Sequence, residues 1–521
     1  MNVQISPFDI PLIVDLIGQD LTKRDFFNCT LVNKSFYILF NPYLWNAIKW
    51  KFKVFLTADK QPLSRNGSLI HKLEVAETSM NGILQYLAGS SSPCEHLVEF
   101  QCSISDYANG FSRLPWITSV IEKNRNLKKC ITTRTDWGET PQMYMQFFEV
   151  LSSHSSLTEL FIQDYRTISH TIYKTLLHNL PRTLEVLRLY WIPSKNVDNS
   201  ILFYGTVRDN VYPRLRSLTL MVSDYGQEGA STLILPLIQK CPVLERIGVE
   251  RSSNGVSDFI TTIFQADQLP STFTEFHLGY MSITDECWQA VVSAMQNRIK
   301  SFSMNSSPFR TYPSNPFDLL TSHWAGILEA IRFQENMFVE SHDIELILTA
   351  CSALKVFSVF CQKDGSLSGL KTMFDALTDA GSNWNCLQLE RLEIRFLDGR
   401  PPLHRSLDTL QIDSKPNQSL HQKVQIANGI MKAYQQLGRL TKLKHLRIGW
   451  YTGLPEGQFE SDSNLDMSIK SGLNFLEGLK ELQVLDVESI RRVNIGQQEV
   501  EWISENWPAL REIRGMIIKD G

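Results

Sequence analysis

The chain has 521 residues, more than a single compact domain of roughly 100–200 residues accommodates, so it divides into several domains or an array of repeats. With 43% hydrophobic and 20% charged residues it is not a largely disordered chain. A formal net charge of −4 gives no global attraction to nucleic acid or to an anionic membrane.

Residues 1–24 lack the basic start, the unbroken apolar run and the small-residue cleavage site of a signal peptide. In "IPLIVDLIGQDL", Ile10, Ile13, Leu16 and Ile17 recur at helical spacing. Pro11 suits a first helical turn, and Gly18 is placed to help end the helix. "TKRD" then offers Thr22 and Asp25 as a capping box for a second helix carrying Phe26, Cys29 and Val32. Asn41-Pro42 predicts a break, with Pro42 opening a third short helix that bears Leu44, Trp45 and Ile48.

Ile10-Pro11, the spaced Ile13, Leu16 and Ile17, then Leu21, "LVNKSFYIL" with Val32, and Leu44-Trp45 together resemble an F-box. The resemblance implies that Ile10, Pro11, Ile13, Leu16, Ile17, Leu21, Val32, Leu44 and Trp45 bind a Skp-family adaptor. Independently of it, fewer than about fifty residues bury too little surface to be stable alone. Part of this apolar set is therefore expected on the outside, where it marks a partner or caps the end of a repeat array.

Beyond residue 50 an apolar-x-x-apolar-x-apolar pattern recurs. Its clearest copies start at Leu157, Leu184, Leu215, Leu244, Phe273, Ile299, Leu354, Leu389, Leu443, Leu482 and Leu510. Weaker copies start at Ile70, Leu97, Leu127 and Leu328. Eleven of the fourteen intervals lie between 26 and 31 residues. Alternation in "LEVLRL" turns Leu187 and Leu189 to one face of a short strand. In "DECWQAVVSAMQN", Trp288, Val291, Val292 and Met295 form one helical stripe. A strand and its returning helix cannot bury their apolar faces alone, but stacked copies can. The array resembles leucine-rich repeats of the long, strand-plus-helix kind. The expected fold is thus an α/β repeat: an all-α F-box-like module followed by a solenoid. Because helices need more width than strands, a horseshoe with its parallel strands on the concave face is expected.

The predicted organisation is an F-box-like module over 1–50, a connecting segment with a first weak repeat over 51–96, and the solenoid over 97–521. Polar, Pro- and Gly-rich loop insertions are expected near 306–318, 397–420 and 451–472. Cys94, Cys241, Cys351 and Cys386 each stand three residues before a strand-leading apolar residue, a shared phase that predicts buried, reduced thiols.

On the concave face, period two turns outward Arg188 and Tyr190, next to which stands Trp191, and later Arg391, Glu393 and Arg395, which neighbour His445, Arg447 and Trp450. Arginines and aromatics anchor interfaces, so these residues, Glu393 apart, are the candidate target-binding set. Arg395 and Arg447 on neighbouring strands suit one carboxylate or phosphate, unless Glu393 and Asp486 neutralise them.

No Gly-rich phosphate loop, HExxH or GxSxG occurs, and the eleven histidines show no metal-ligand spacing. No catalytic residue, metal or cofactor is expected. An F-box followed by leucine-rich repeats resembles the substrate receptors of Skp–cullin–F-box ubiquitin ligases. That resemblance implies a non-catalytic cytoplasmic or nuclear protein. By the same resemblance it is expected to join a Skp-family adaptor, and through it a cullin scaffold, to an unknown target protein; neither nucleic acid nor membrane is an expected partner. The residues themselves leave open a repeat scaffold whose first helices only cap the array, or one that lends an arginine to another enzyme.

Overall fold

Two residues after each of the fifteen strand-leading positions, from Ile70 to Leu510, a parallel strand begins. The leading residue is fully buried in every copy from Ile70 to Leu482. The residue following it hydrogen-bonds its counterpart in the preceding repeat. Val98 N–H donates to the His71 carbonyl (2.7 Å), Lys128 to Val98 (2.8 Å) and Thr158 to Lys128 (2.8 Å). A computed structural model describes residues 8, 10–50, 57–77, 81–89, 94–104, 114–133, 141–163, 176–177, 179–191, 211–222, 234–250, 256–265, 269–279, 284–305, 316–334, 339, 341–360, 383–394, 431–448, 467–487 and 495–515.

The chain forms two compact units. The first, Met1–Glu245 with Pro270–Thr272, holds β1 (Ala47–Trp50), β2 (Lys72–Glu77), β3 (Glu99–Ile104), β4 (Lys129–Thr133), β5 (Glu159–Gln163), β6 (Val186–Trp191) and β7 (Ser217–Val222). The second, Arg246–Leu269 with Phe273–Gly521, holds β8 (Arg246–Glu250), β9 (Glu275–Leu278), β10 (Ser301–Asn305), β11 (Ala330–Gln334), β12 (Val356–Phe360), β13 (Arg391–Ile394), β14 (His445–Ile448), β15 (Val484–Asp486) and β16 (Glu512–Arg514). Within each unit, strands consecutive in sequence pair in parallel and in register. This is the expected α/β leucine-rich solenoid.

Helices return between the strands and cover one sheet face. Phe264 of helix Val256–Gln265 meets Phe276 of β9 edge-on at 4.8 Å. Trp288 of helix Asp285–Ala294 lies 5.5 Å from Phe302 of β10. Phe317 of helix Pro316–Trp324 meets Phe333 of β11 at 5.4 Å. Trp288, Val291, Val292 and Met295 are all buried, as their stripe predicts. The other sheet face stays open.

Cys94, Cys241, Cys351 and Cys386 are buried, and burial pushes the last three thiols up to about 12. Each of those three accepts at its carbonyl the N–H of the strand-leading leucine three residues on. Asn124 occupies the same slot with a different solution. Its Oδ1 accepts Leu97 N–H (2.8 Å) and its Nδ2 donates to the Cys94 carbonyl (3.1 Å), tying one repeat to the previous one.

Three helices precede the array: α1 (Pro11–Asp20), α2 (Lys23–Thr30) and α3 (Lys34–Asn46). Pro11 is the first residue of α1, and Thr22 with Asp25 forms the predicted capping box. Four local expectations fail. Gly18 does not end α1, which runs on to Asp20. It lies instead against Tyr43, whose ring a Cβ would meet at 3.2 Å. Val32 falls outside α2, in the turn before the N-cap Asn33. The chain does not break at Asn41-Pro42, because α3 passes through both. Ile48 is not helical but lies on β1, a strand ahead of the first expected repeat. The signal was there: Trp45, Ile48 and Trp50 repeat the apolar-x-x-apolar-x-apolar pattern. His71 N–H accordingly bonds the Asn46 carbonyl at 3.0 Å, as in the later repeats.

Candidate binding surfaces

The head piece folds round Val14, Phe26 and Phe40, with Phe8, Leu21, Cys29, Phe36, Leu39, Tyr43 and Leu44 packed against them. Phe26 and Tyr43 stack at 5.6 Å. The Tyr43 hydroxyl donates to Asp15, and that bond, with burial second, pushes the phenol up to about 12. So small a core uses up only one face of each helix. Leu12 (67%), Leu31 (68%), Val32 (63%) and Ile38 (63%) stay largely exposed, as do Leu16 and Ile10. Leu12 and Leu16 share one stripe of α1, while Leu31 and Val32 lie in the turn before α3.

Of the nine predicted adaptor residues, Ile10, Leu16 and Val32 are exposed, whereas Ile13, Ile17, Leu21, Leu44 and Trp45 are half-buried. Pro11 starts α1. Trp45 holds the strand-leading place of the first repeat, and Leu21 and Leu44 serve the head core. Sequence reading missed Leu12, Leu31 and Ile38, although the i, i+4 spacing of Leu12 and Leu16 was visible.

Where the head piece meets the array, Lys23 of α2 donates from its ammonium to the Ala47 carbonyl of β1. Beside it lies a groove of about 320 Å³, lined by Lys23, Lys49, Lys72, Lys129, Glu74, Glu99, Gln101 and Ile131 among others. Its three strand lysines are paired across strands: Lys49 with Glu74, Lys72 with Glu99 and Lys129 with Glu159. Such exposed pairs contribute ~0–1 kcal/mol each, so they keep the face wet more than they stabilise it.

Further along β6, Arg188 is exposed between Phe161 and Thr219 in register, and Tyr190 lies 5.0 Å from Phe161. Trp191 ends that strand. Arg395 and Trp450 lie outside the described residues, as do 397–420 and most of the other two predicted insertions. Residues 316–318 are helical and Met467 is fully buried, so those insertions end in ordered core.

The open face of β8–β16 carries a charged row, one residue per strand, set by the pairing. It runs Gly248, His277, Ser303, Arg332, Ser358, Glu393, Arg447, Asp486, Arg514. Glu393 points to this face, yet it is only 3% exposed. It accepts from Ser358 Oγ (2.5 Å) and from Arg391 Nε (3.0 Å) and Nη2 (2.6 Å). Arg447 Nε approaches Asp486, itself buried, at 3.3 Å. His445 sits 3.7 Å from Glu393. Its pKa is pushed down by burial first and Arg391 second, against the pull of Glu393 and Asp486. Arg391 and Arg447 are thus matched to internal carboxylates; for Arg447 this is the neutralised alternative that the sequence left open, while Arg395 lies outside the described residues.

Among the described residues no group of three or more His, Cys, Asp or Glu side chains could hold a metal ion. No described helix is long and apolar enough to cross a membrane.

No family model matches the sequence, and no curated protein does. The solved structures that the chain is similar to include two of low identity. One is a chain of the crystal structure of the Rad7 and Elc1 complex in yeast, 12% identical, covering 70% of this chain and 88% of that one at a TM-score of 0.33. The other is the leucine-rich repeat-containing protein LegL7 from Legionella pneumophila, 10% identical, covering 61% and 91% at a TM-score of 0.32. The assignment of the fold rests on the strand ladder itself.

Proposed function

We propose that this protein is a non-catalytic substrate-recognition subunit of a Skp–cullin–F-box ubiquitin ligase, acting in the cytosol or nucleus. In this reading the head piece docks a Skp-family adaptor, and through it a cullin, while the open sheet face holds a target protein. The observation that carries it is the apolar surface of α1–α3. Leu12, Leu16, Leu31, Val32 and Ile38 stay exposed round an apolar core that, among the described residues, buries Val14, Phe26 and Phe40. Capping the array does not require these residues, and large exposed apolar sets mark partner sites. The order of Ile10-Pro11, Leu21, Val32 and Leu44-Trp45 supports the F-box resemblance. Catalysis then lies in the partners, and the receptor contributes effective concentration and positioning.

A second reading has its own support. α3 runs straight into β1, Trp45 leads the first strand, and Lys23 bonds Ala47, so the helices also act as a cap. Retention of a purified Skp-family adaptor by the intact protein separates the two. Binding is expected for the wild type and lost in Leu16→Glu with Val32→Glu, two exposed positions where the variant is expected to keep the wild-type urea midpoint. Failure of the wild-type chain to retain the adaptor leaves only the scaffold reading.

A further inference from the structure

Arginines on the open face of β8–β16 mostly face their own carboxylate. Arg246 pairs with Glu275, Arg391 with Glu393, Arg447 with Asp486 and Arg514 with Glu512. Arg332, in the middle of β11, does not. It forms no ion pair among the described residues, and its hydrogen bond goes to Ser301 Oγ at a long 3.4 Å. It is also half-buried. Burial is the first cause that lowers its pKa, and Arg391 and Arg246 add to this by repulsion, against Glu275 and Glu393. Those two acids are already held by Arg246 and Arg391. Among the described residues that act on it, three guanidiniums and two carboxylates therefore leave one positive charge unmatched, in a place where an unmatched charge is costly.

The surroundings leave room above it. In register, Arg332 is flanked by Ser303 and Ser358; two residues earlier the same face carries Ser301 and Ala330, with Val356 beside Ala330, and Asn305 follows Ser303. Ser301, Ser303, Ala330 and Ser358 are short, so on those sides the guanidinium stands over hydroxyls and a methyl. The Ser303 hydroxyl is tied to His277 Nδ1 (2.7 Å), and that of Ser358 to Glu393. These bonds fix the floor and leave the planar fork of Arg332 to an incoming group.

We propose that Arg332 seats the carboxylate of an Asp or Glu side chain on a protein segment laid across the open face of β10–β13. Charge complementarity selects the occupant. A carboxylate matches one unmatched charge and the fork geometry of a guanidinium. A phosphoryl group brings about two negative charges, one too many beside Glu275 and Glu393. This names the chemistry of the target-binding half of the proposed function and rests on that half; it is independent of adaptor binding.

The test uses the full-length chain and four fluorescein-labelled decapeptide pools, random except for a central Glu, Gln, Lys or phosphoserine, read by fluorescence anisotropy. The Glu pool is expected to bind about tenfold more tightly than the Gln pool, the size of one charge-assisted pair. That preference disappears in Arg332→Met and is partly retained in Arg332→Lys, which keeps the charge and guards against a folding artefact. A Glu preference that survives Arg332→Met overturns the proposal, as does equal binding of all pools by the wild type. Tighter binding of the phosphoserine pool overturns the carboxylate assignment. Adaptor capture measured on the same preparations separates the outcomes, because its loss with the Glu preference intact removes the ligase reading alone.

Discussion

Glu393 is a carboxylate taken out of water on a sheet face that its neighbours leave wet. Period two correctly turns it toward the open face, but direction is not exposure. Arg391, Ser358 and His445 close over it from three strands. A buried carboxylate is tolerated only while its charge is matched. Arg391→Met is therefore expected to lower unfolding stability by ~2 kcal/mol, less than for a fully buried partner because Arg391 itself is about half exposed. Adding Glu393→Gln should recover a large part of that loss, since the uncompensated charge goes. Urea denaturation midpoints of the two variants decide it, and equal midpoints for wild type and Arg391→Met would sink the argument.

At the scale of elements, α3 shows packing overriding local chemistry. A proline inside a helix removes one hydrogen bond and costs about 3 kcal/mol. Yet Pro42 is flanked by Phe40, in the head core, and by Tyr43, which stacks on Phe26 and bonds Asp15. Asn41 adds an anchor, its Nδ2 donating to Asn66 Oδ1 at 3.0 Å. The helix is thus held on both sides of the proline. Phe40→Ala is expected to cost ~3–5 kcal/mol locally and to expose the amides of 11–46 to hydrogen exchange. Because repeats contact mainly their neighbours, protection of β10–β12 should stay unchanged. Uniform loss of protection along the chain would show that the head piece is not an independent cooperative element.

For the molecule as a whole, acid should be the weak direction. His154 in the first unit is buried, and burial holds its pKa below the ordinary 6.5. The pKa of His445 in the second unit is likewise lowered. Between each folded pKa and 6.5 the unfolded chain binds more protons than the folded one, so stability is present above that window and is lost as pH falls through it. The urea midpoint should drop between pH about 7.5 and about 5.5, and the drop should shrink in His154→Gln with His445→Gln. An unchanged slope in the double variant would assign the acid sensitivity to other groups.

The array was legible from the residues alone because a repeat states its rule many times. Leu187, Leu218 and Leu446 obey the same alternation, and the thiol phase of Cys241, Cys351 and Cys386 reports one packing slot. The head piece states its rule once. Its helices could be placed, but which of its apolar residues would turn outward could not. That choice depends on how three short helices share a core of Val14, Phe26 and Phe40. For the same reason the place of Trp45 at the head of the first repeat, which pairing of β1 with β2 gives it, could not be read. The open face was readable as to direction and unreadable as to charge. Register across strands far apart in sequence decides which arginine meets which carboxylate, and among the described residues it leaves Arg332 without one.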